Sequence, residues 1–129
     1  MISINGLHHI GIICRDIEKS KIFYTKKLGL KVLKQTFGTE TNSVKLDLAL
    51  NGIYSFGLFS FPNSPQRITR FEATGLRHIA FEVENISNST LILKEKSIFY
   101  ESLRIDNLTN RQFTFIFDAN NLPIELYEQ

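Results

Sequence analysis

Three side chains in this sequence have the types and spacing suited to holding a divalent metal. His9 and His78 stand in two similar stretches, Leu7-His8-His9-Ile10-Gly11-Ile12 and Leu76-Arg77-His78-Ile79-Ala80-Phe81, 69 residues apart. Side chains alternate between the faces of a strand, so equivalent positions in repeated strands point equivalently. His9 and His78 are therefore expected to look into a shared cleft, and His8, the counterpart of Arg77, to look the other way. Glu125 is the acid inside the apolar run Pro123-Ile124-Glu125-Leu126-Tyr127 and follows His78 by 47 residues. A carboxylate among apolar neighbours is costly unless it is paired or coordinated, whereas Glu128 reads as an edge-strand glutamate in water. Two imidazoles and one carboxylate with open positions suit Fe(II), Mn(II), Ni(II) or Zn(II). The same spacing places a fourth donor near residue 56 of the first copy, yet Tyr54-Ser55-Phe56-Gly57-Leu58 holds no carboxylate, imidazole or thiol. That leaves a corner without a ligand at about Gly57.

Local signals supply the elements that must carry these residues. Leu7 to Cys14 reads as a short buried strand. Asp16 is an N-cap, Ile17, Lys21, Tyr24 and Leu28 recur at helical spacing, and Gly29 ends the helix. Leu30 to Thr36 reads as a second strand. Val44, Leu46, Leu48 and Leu50 alternate with Lys45, Asp47 and Ala49 as a half-buried strand, Asn51-Gly52 is a strong hairpin signal, and Ile53 to Ser60 returns. After a linker the pattern restarts: Ile86 matches Ile17 and Ser89 matches Ser20 at the same offset of 69. Strands are expected at Tyr100 to Arg104, Gln112 to Asp118 and Pro123 to Tyr127. Phe113, Phe115 and Phe117 read as one buried strand face. The fold class is α+β: two tandem βαβββ modules, about 5–61 and 75–129 with a linker at 62–74, forming a curled mixed sheet around a cleft in a single domain, 1–129.

The composition excludes several functions. A net charge of +2 with no long basic block argues against nucleic acid. No apolar run reaches the roughly 18 residues that span a bilayer, and no secretion signal is apparent. One cysteine, Cys14, fits a reducing cytoplasm; its strand parity is opposite to that of His9, and it reads as a small packed hydrophobe. Among Arg67, Arg70, Arg77, Arg104 and Arg111, the pair Arg77 and Arg111 are the candidates to anchor an anionic substrate. There is no glycine-rich phosphate loop, no Ser-His-Asp order and no zinc-finger spacing.

These motifs resemble the vicinal-oxygen-chelate superfamily (glyoxalase, bleomycin resistance, extradiol dioxygenase), in its small bacterial glyoxalase I-like subgroup. The resemblance runs over Leu7-His8-His9-Ile10, Asp16-Ile17, Phe23-Tyr24-x-x-x-Leu28-Gly29-Leu30, Gly75 to Phe81, and Phe117-Asp118 through Pro123 to Glu128. It implies a divalent metal held by His9, His78 and Glu125, a small-molecule substrate, and a homodimer. It further implies a lyase or isomerase acting on a substrate such as a 2-oxoaldehyde–thiol adduct; with glycine at residue 57, Glu125 or metal-bound water has to stand in as the catalytic base. In the glyoxalase I branch the slot at Gly57 holds a glutamate that is also the base. The remaining ligands resemble those of extradiol dioxygenases and of thiol transferases that modify an antibiotic. A metal-free binding module is the third alternative. Asp118-Ala119-Asn120-Asn121-Leu122-Pro123 departs from the family's Asp-Pro-Asp-Gly turn, with Asn able to take the positive φ of glycine.

Overall fold

Each half of the chain builds one four-stranded mixed sheet with a helix packed on it. The computed structural model describes residues 1–129, which divide into two units, residues 1–66 and 67–129. In the first unit β1 (Ile10–Ile13), α1 (Ile17–Ile22), β2 (Lys31–Gly38), β3 (Ser43–Leu50) and β4 (Ile53–Ser60) follow one another. In the second, β5 (Ile79–Val83), α2 (Ile86–Glu95), β6 (Arg104–Ile105), β7 (Gln112–Phe117) and β8 (Pro123–Glu128) repeat the order. The sheets run β1-β4-β3-β2 and β5-β8-β7-β6. In each, the first strand lies parallel to the last and the other pairs are antiparallel. The α+β class and the two tandem βαβββ modules are as the sequence pattern predicts.

The local chemistry explains the elements. The Asp16 carboxylate accepts from the N–H groups of Glu18 and Lys19, and the Asn85 side chain accepts from that of Asn88, so both helices start on side-chain caps. Helix α1 widens into a π-helical turn over Phe23–Lys27, and Gly29, at φ +82°, ends it. Asn51 and Gly52 both take positive φ, as a tight hairpin between right-twisted strands requires. Asn121, at φ 65°, does the work of a glycine in the turn before β8, where the Asp118 carboxylate accepts from the N–H groups of Asn120 and Leu122.

Several expectations are corrected. The first strand is shorter than Leu7 to Cys14, so His8 and His9 precede the ladder and strand alternation does not govern them. The Tyr100 to Arg104 strand shrinks to Arg104–Ile105. The phenylalanines of β7 are not the buried face: Thr114 and Ile116 are fully buried, while Phe113, Phe115 and Phe117 lie half-buried on the opposite, open face. Glu128 is not a solvated edge residue, because its carboxylate accepts from the Ile86 N–H at 2.9 Å and helps to start α2. Cys14 is fully buried, as expected of a packed thiol.

Candidate functional site

In the second unit the open face of the sheet carries the candidate chemistry. Core residues Ile124 and Leu126 point one way from β8, which turns Glu125 to the other face. His78, immediately before β5, meets Glu125 there: imidazole Nε2 and carboxylate Oε2 stand 3.1 Å apart, with side chains 26% and 13% exposed. His78 Nδ1 is buried without a partner, so Nε2 is the nitrogen offered to Glu125. The ring of Phe115 packs against His78 edge to face, 5.4 Å between centroids. Two donors bound at right angles about 2.1 Å from one divalent ion would stand about 3.0 Å apart, so this donor pair fits a metal. No group of three or more His, Cys, Asp or Glu side chains is drawn together into a metal-sized cluster.

His9 belongs to the first unit, where the rings of His8 and His9 both contact Tyr54. His9 stacks on it at 5.1 Å, His8 meets it edge-on at 5.5 Å, and the two Nδ1 atoms are 2.7 Å apart. His8 therefore shares the side of His9, against the expectation from alternation.

The two sheets use the same register around the corner that lacks a ligand. Ala80 pairs with Glu125 in the second unit, and Gly11 pairs with Gly57 in the first. Gly57 is thus the structural counterpart of Glu125. The space a side chain would enter there is already in use. A Cβ on residue 57 would stand 3.1 Å from the Tyr54 hydroxyl, 3.2 Å from the edge of the Phe59 ring and 3.4 Å from Lys45 Cε. A β-bulge turns Tyr54 towards this corner: Leu48 pairs with Phe56 but Ala49 with Tyr54, leaving Ser55 as the extra residue in β4. Lys45 forms an ion pair with Asp47 at 3.3 Å, and Asp47 lies directly across the ladder from Gly57. The Asp47 carboxylate, and after it the Tyr54 hydroxyl, raise the Lys45 ammonium above its ordinary pKa.

Beside His78 the second unit opens a pocket of about 240 Å³ whose wall is rich in arginine: Arg67, Arg70, Arg77 and Arg104, with Glu72 and Glu101. Arg77, a sequence candidate, lines it with its Nε and Nη2 on Glu72, at 3.1 and 3.0 Å. The other candidate, Arg111, is not part of this wall. Sequence reasoning missed Glu72, Glu101, Lys45, Asp47 and Tyr54, and passed over Arg70 and Arg104. The alternation of β3 does mark Lys45 and Asp47 as open-face residues. By sequence, Arg67 to Ala73 belong to the linker, and nothing local marks those residues as a pocket wall.

The model of the Glyoxalase/Bleomycin resistance protein/Dioxygenase superfamily matches residues 6–126. The chain is 53% identical over 126 residues to the uncharacterized protein YwkD of Bacillus subtilis (strain 168), covering 98% of each. Its fold is similar to the crystal structure of a glyoxalase family protein from Enterococcus faecalis, at TM-score 0.88 and 39% identity over 96% of this chain and 98% of that one. At 18% identity, the fold alone is shared with the fosfomycin resistance protein FosX from Listeria monocytogenes complexed with Mn(II) and sulfate (TM-score 0.73, covering 98% and 94%). No helix is long and apolar enough to cross a membrane. A matched span of nearly the whole chain, over a fold of two equivalent modules, leads to one conclusion: the chain belongs to the glyoxalase/bleomycin resistance/dioxygenase superfamily.

Proposed function

We propose that the protein is a metal-dependent, glyoxalase I-like lyase or isomerase acting on a small oxygen-chelating substrate such as a 2-oxoaldehyde–thiol adduct. The observation that carries this reading is the convergence of His78 Nε2 and Glu125 Oε2 at 3.1 Å on the open face of the second sheet. His78, Glu125 and His9 are the residues that would hold a divalent ion, with nickel, zinc, manganese and iron all compatible with the donor set. Once bound, such an ion supplies Lewis acidity to adjacent oxygens of the substrate. The chain's own residues do the rest. Glu125 takes and returns the proton, because Gly57 can do neither. Phe115 keeps the His78 ring in place. Arg77, on the pocket wall but engaged by Glu72, and Arg111, outside the pocket, are the sequence candidates for orienting an anionic substrate. The reading takes the protein to be a cytoplasmic homodimer without a nucleic-acid or membrane partner; the single buried cysteine supports the reducing compartment.

A second reading has a specific observation in its favour. Gly57 occupies the register position of Glu125 and carries no donor, which supports a three-ligand site of the kind suited to extradiol-type oxygen insertion or to thiol transfer to an antibiotic. A metal-free small-molecule-binding module is the remaining alternative. Metal analysis of protein purified without chelator, with His78→Ala alongside, tests all three. The proposal expects about one divalent ion per site in the parent protein and its loss in the variant. Metal content that His78→Ala leaves unchanged would remove the site. With metal established, turnover of methylglyoxal with a thiol separates the lyase from oxygen uptake with Fe(II) and a catechol.

A further inference from the structure

We infer that the arginine-walled pocket of the second unit is an oxyanion subsite, in which Arg70 and Arg104 hold the carboxylate, phosphate or phosphonate head of a compact substrate. This names a substrate class for the site above and rests on that reading for the reaction, but not for the binding of the anion. The wall carries four guanidinium groups against two carboxylates, an excess of positive charge in a concave site.

The four arginines are not equally committed. Arg67 spends its Nη2 on the carbonyls of Leu76 and Arg77, at 2.6 and 3.2 Å, tying down the segment that carries His78. Arg77 is held by Glu72. Arg70 and Arg104 instead share one carboxylate, Glu101. Arg104 meets it at 2.8 Å and Arg70 only at 4.0 Å, with the Arg70 side chain 76% exposed. Two planar donor forks served by one carboxylate leave donors for a second anion.

Arg104 is also pre-positioned. Its guanidinium lies over the faces of Phe113 and Phe115, 5.0 and 5.4 Å from the centroids, which removes much of the freedom a loose arginine would lose on binding. Phe115 is the same ring that packs on His78, also at 5.4 Å. Arg104 and His78 are therefore no more than about 11 Å apart, since each lies 5.4 Å from that shared ring. An anion gripped by Arg104 belongs to a short molecule whose other end reaches His78 and Glu125. Arg67 Nε, buried on the same wall without a partner, is a further donor for it. Glu101 is the built-in competitor, occupying the arginines until an anion arrives.

Isothermal titration of the metal-free full chain with inorganic phosphate, methylphosphonate and acetate, at constant ionic strength and against a chloride control, tests this. At least one probe is expected to bind saturably. A stronger response to acetate identifies a carboxylate head, and a stronger response to phosphate or methylphosphonate a phosphorus oxyanion. Arg104→Gln weakens binding about tenfold or more, the scale of a lost charge-assisted hydrogen bond. Glu101→Gln tightens it, because a competing carboxylate is gone. The opposite signs guard against misfolding, which would weaken both. Binding no stronger than chloride, an unchanged Arg104→Gln, or a weakened but folded Glu101→Gln overturns the proposal. Mn(II) titration of the parent protein reports separately on the metal reading, so either can fail alone.

Discussion

The sharpest test of the site is to write the missing carboxylate back, by Gly57→Glu. Because Gly11–Gly57 and Ala80–Glu125 are equivalent pairs, a glutamate at 57 leaves the first sheet as Glu125 leaves the second. Its Cβ meets the Tyr54 hydroxyl at 3.1 Å, the Phe59 ring edge at 3.2 Å and Lys45 Cε at 3.4 Å. All three are the outer parts of side chains, so they yield by a few tenths of an ångström instead of forcing the backbone. Crowding of this kind costs about 1–3 kcal/mol. Replacing a glycine inside a strand recovers roughly 0.5–1 kcal/mol of that, so the net loss is about 2.5 kcal/mol or less by urea denaturation. The nearby Lys45 ammonium offsets part of the crowding. On the proposed reading, in which residue 57 is the fourth corner of the metal site, the site gains an anionic donor in return. Losing a mere outer-shell partner weakens metal binding about 10–100-fold, so a donor that reaches the ion directly should strengthen Mn(II) binding by at least about tenfold, or 1.4 kcal/mol. Titration of parent and variant, each confirmed folded by circular dichroism, reads this out. A folded variant with Mn(II) affinity equal to or below that of the parent refutes the assignment of residue 57 to the metal site.

Other expectations follow from the same structure. Glu125→Gln removes the charge that faces His78 Nε2 at 3.1 Å; it should weaken Mn(II) binding by at least about tenfold with little change in fold, as titration and circular dichroism would show. Ile116→Ala, at a fully buried position, should cost about 2–5 kcal/mol in urea denaturation. Asp16→Ala removes the acceptor for two helix N–H groups and should cost about 1 kcal/mol. Asp106 is held below its ordinary value by the Leu108 N–H and then by the Tyr127 hydroxyl. A depressed carboxylate stabilises the fold above its unfolded-state value and loses that contribution as pH falls through the folded one. Asp106→Asn should therefore lower stability at neutral pH and flatten its decline below about pH 3.8, the ordinary value.

What the sequence made legible was local or repeated. Asp16, Asn51-Gly52 and Asn121 each solve a backbone problem within a few residues, and each does in the structure what its type predicts. The 69-residue offset carries Glu125 back to residue 56, one short of Gly57, and the strand register then fixes Gly57 as its counterpart. What stayed hidden depends on partners distant in sequence. Alternation in β7 separates Phe113, Phe115 and Phe117 from Thr114 and Ile116 but does not say which set faces the helix. Hydrophobicity alone selects the wrong set. The extra residue at Ser55 has no sequence mark, so the turning of Tyr54 into the Gly57 corner was not readable. Arg70 and Glu72 lie in a stretch without helix or strand and become a pocket wall only against β7 and β8.

The equivalence of the two sheets also explains why their chemistry can differ. Phe56 and Leu58 match Ile124 and Leu126 in register, and all four are buried. A slip of one residue in either strand would turn this set out of the core, so burial pins the register in both units. The open face is under no such constraint. It carries Lys45, Asp47, Tyr54 and Gly57 in one unit, and Phe115, Glu125 and Arg104 in the other. Substitution there changes charge and donors without reopening the core. A single scaffold can thus hold a carboxylate at one copy of a position and glycine at the other with both sheets intact. For that reason the core argues for the superfamily, whereas the reaction must be argued from the open face.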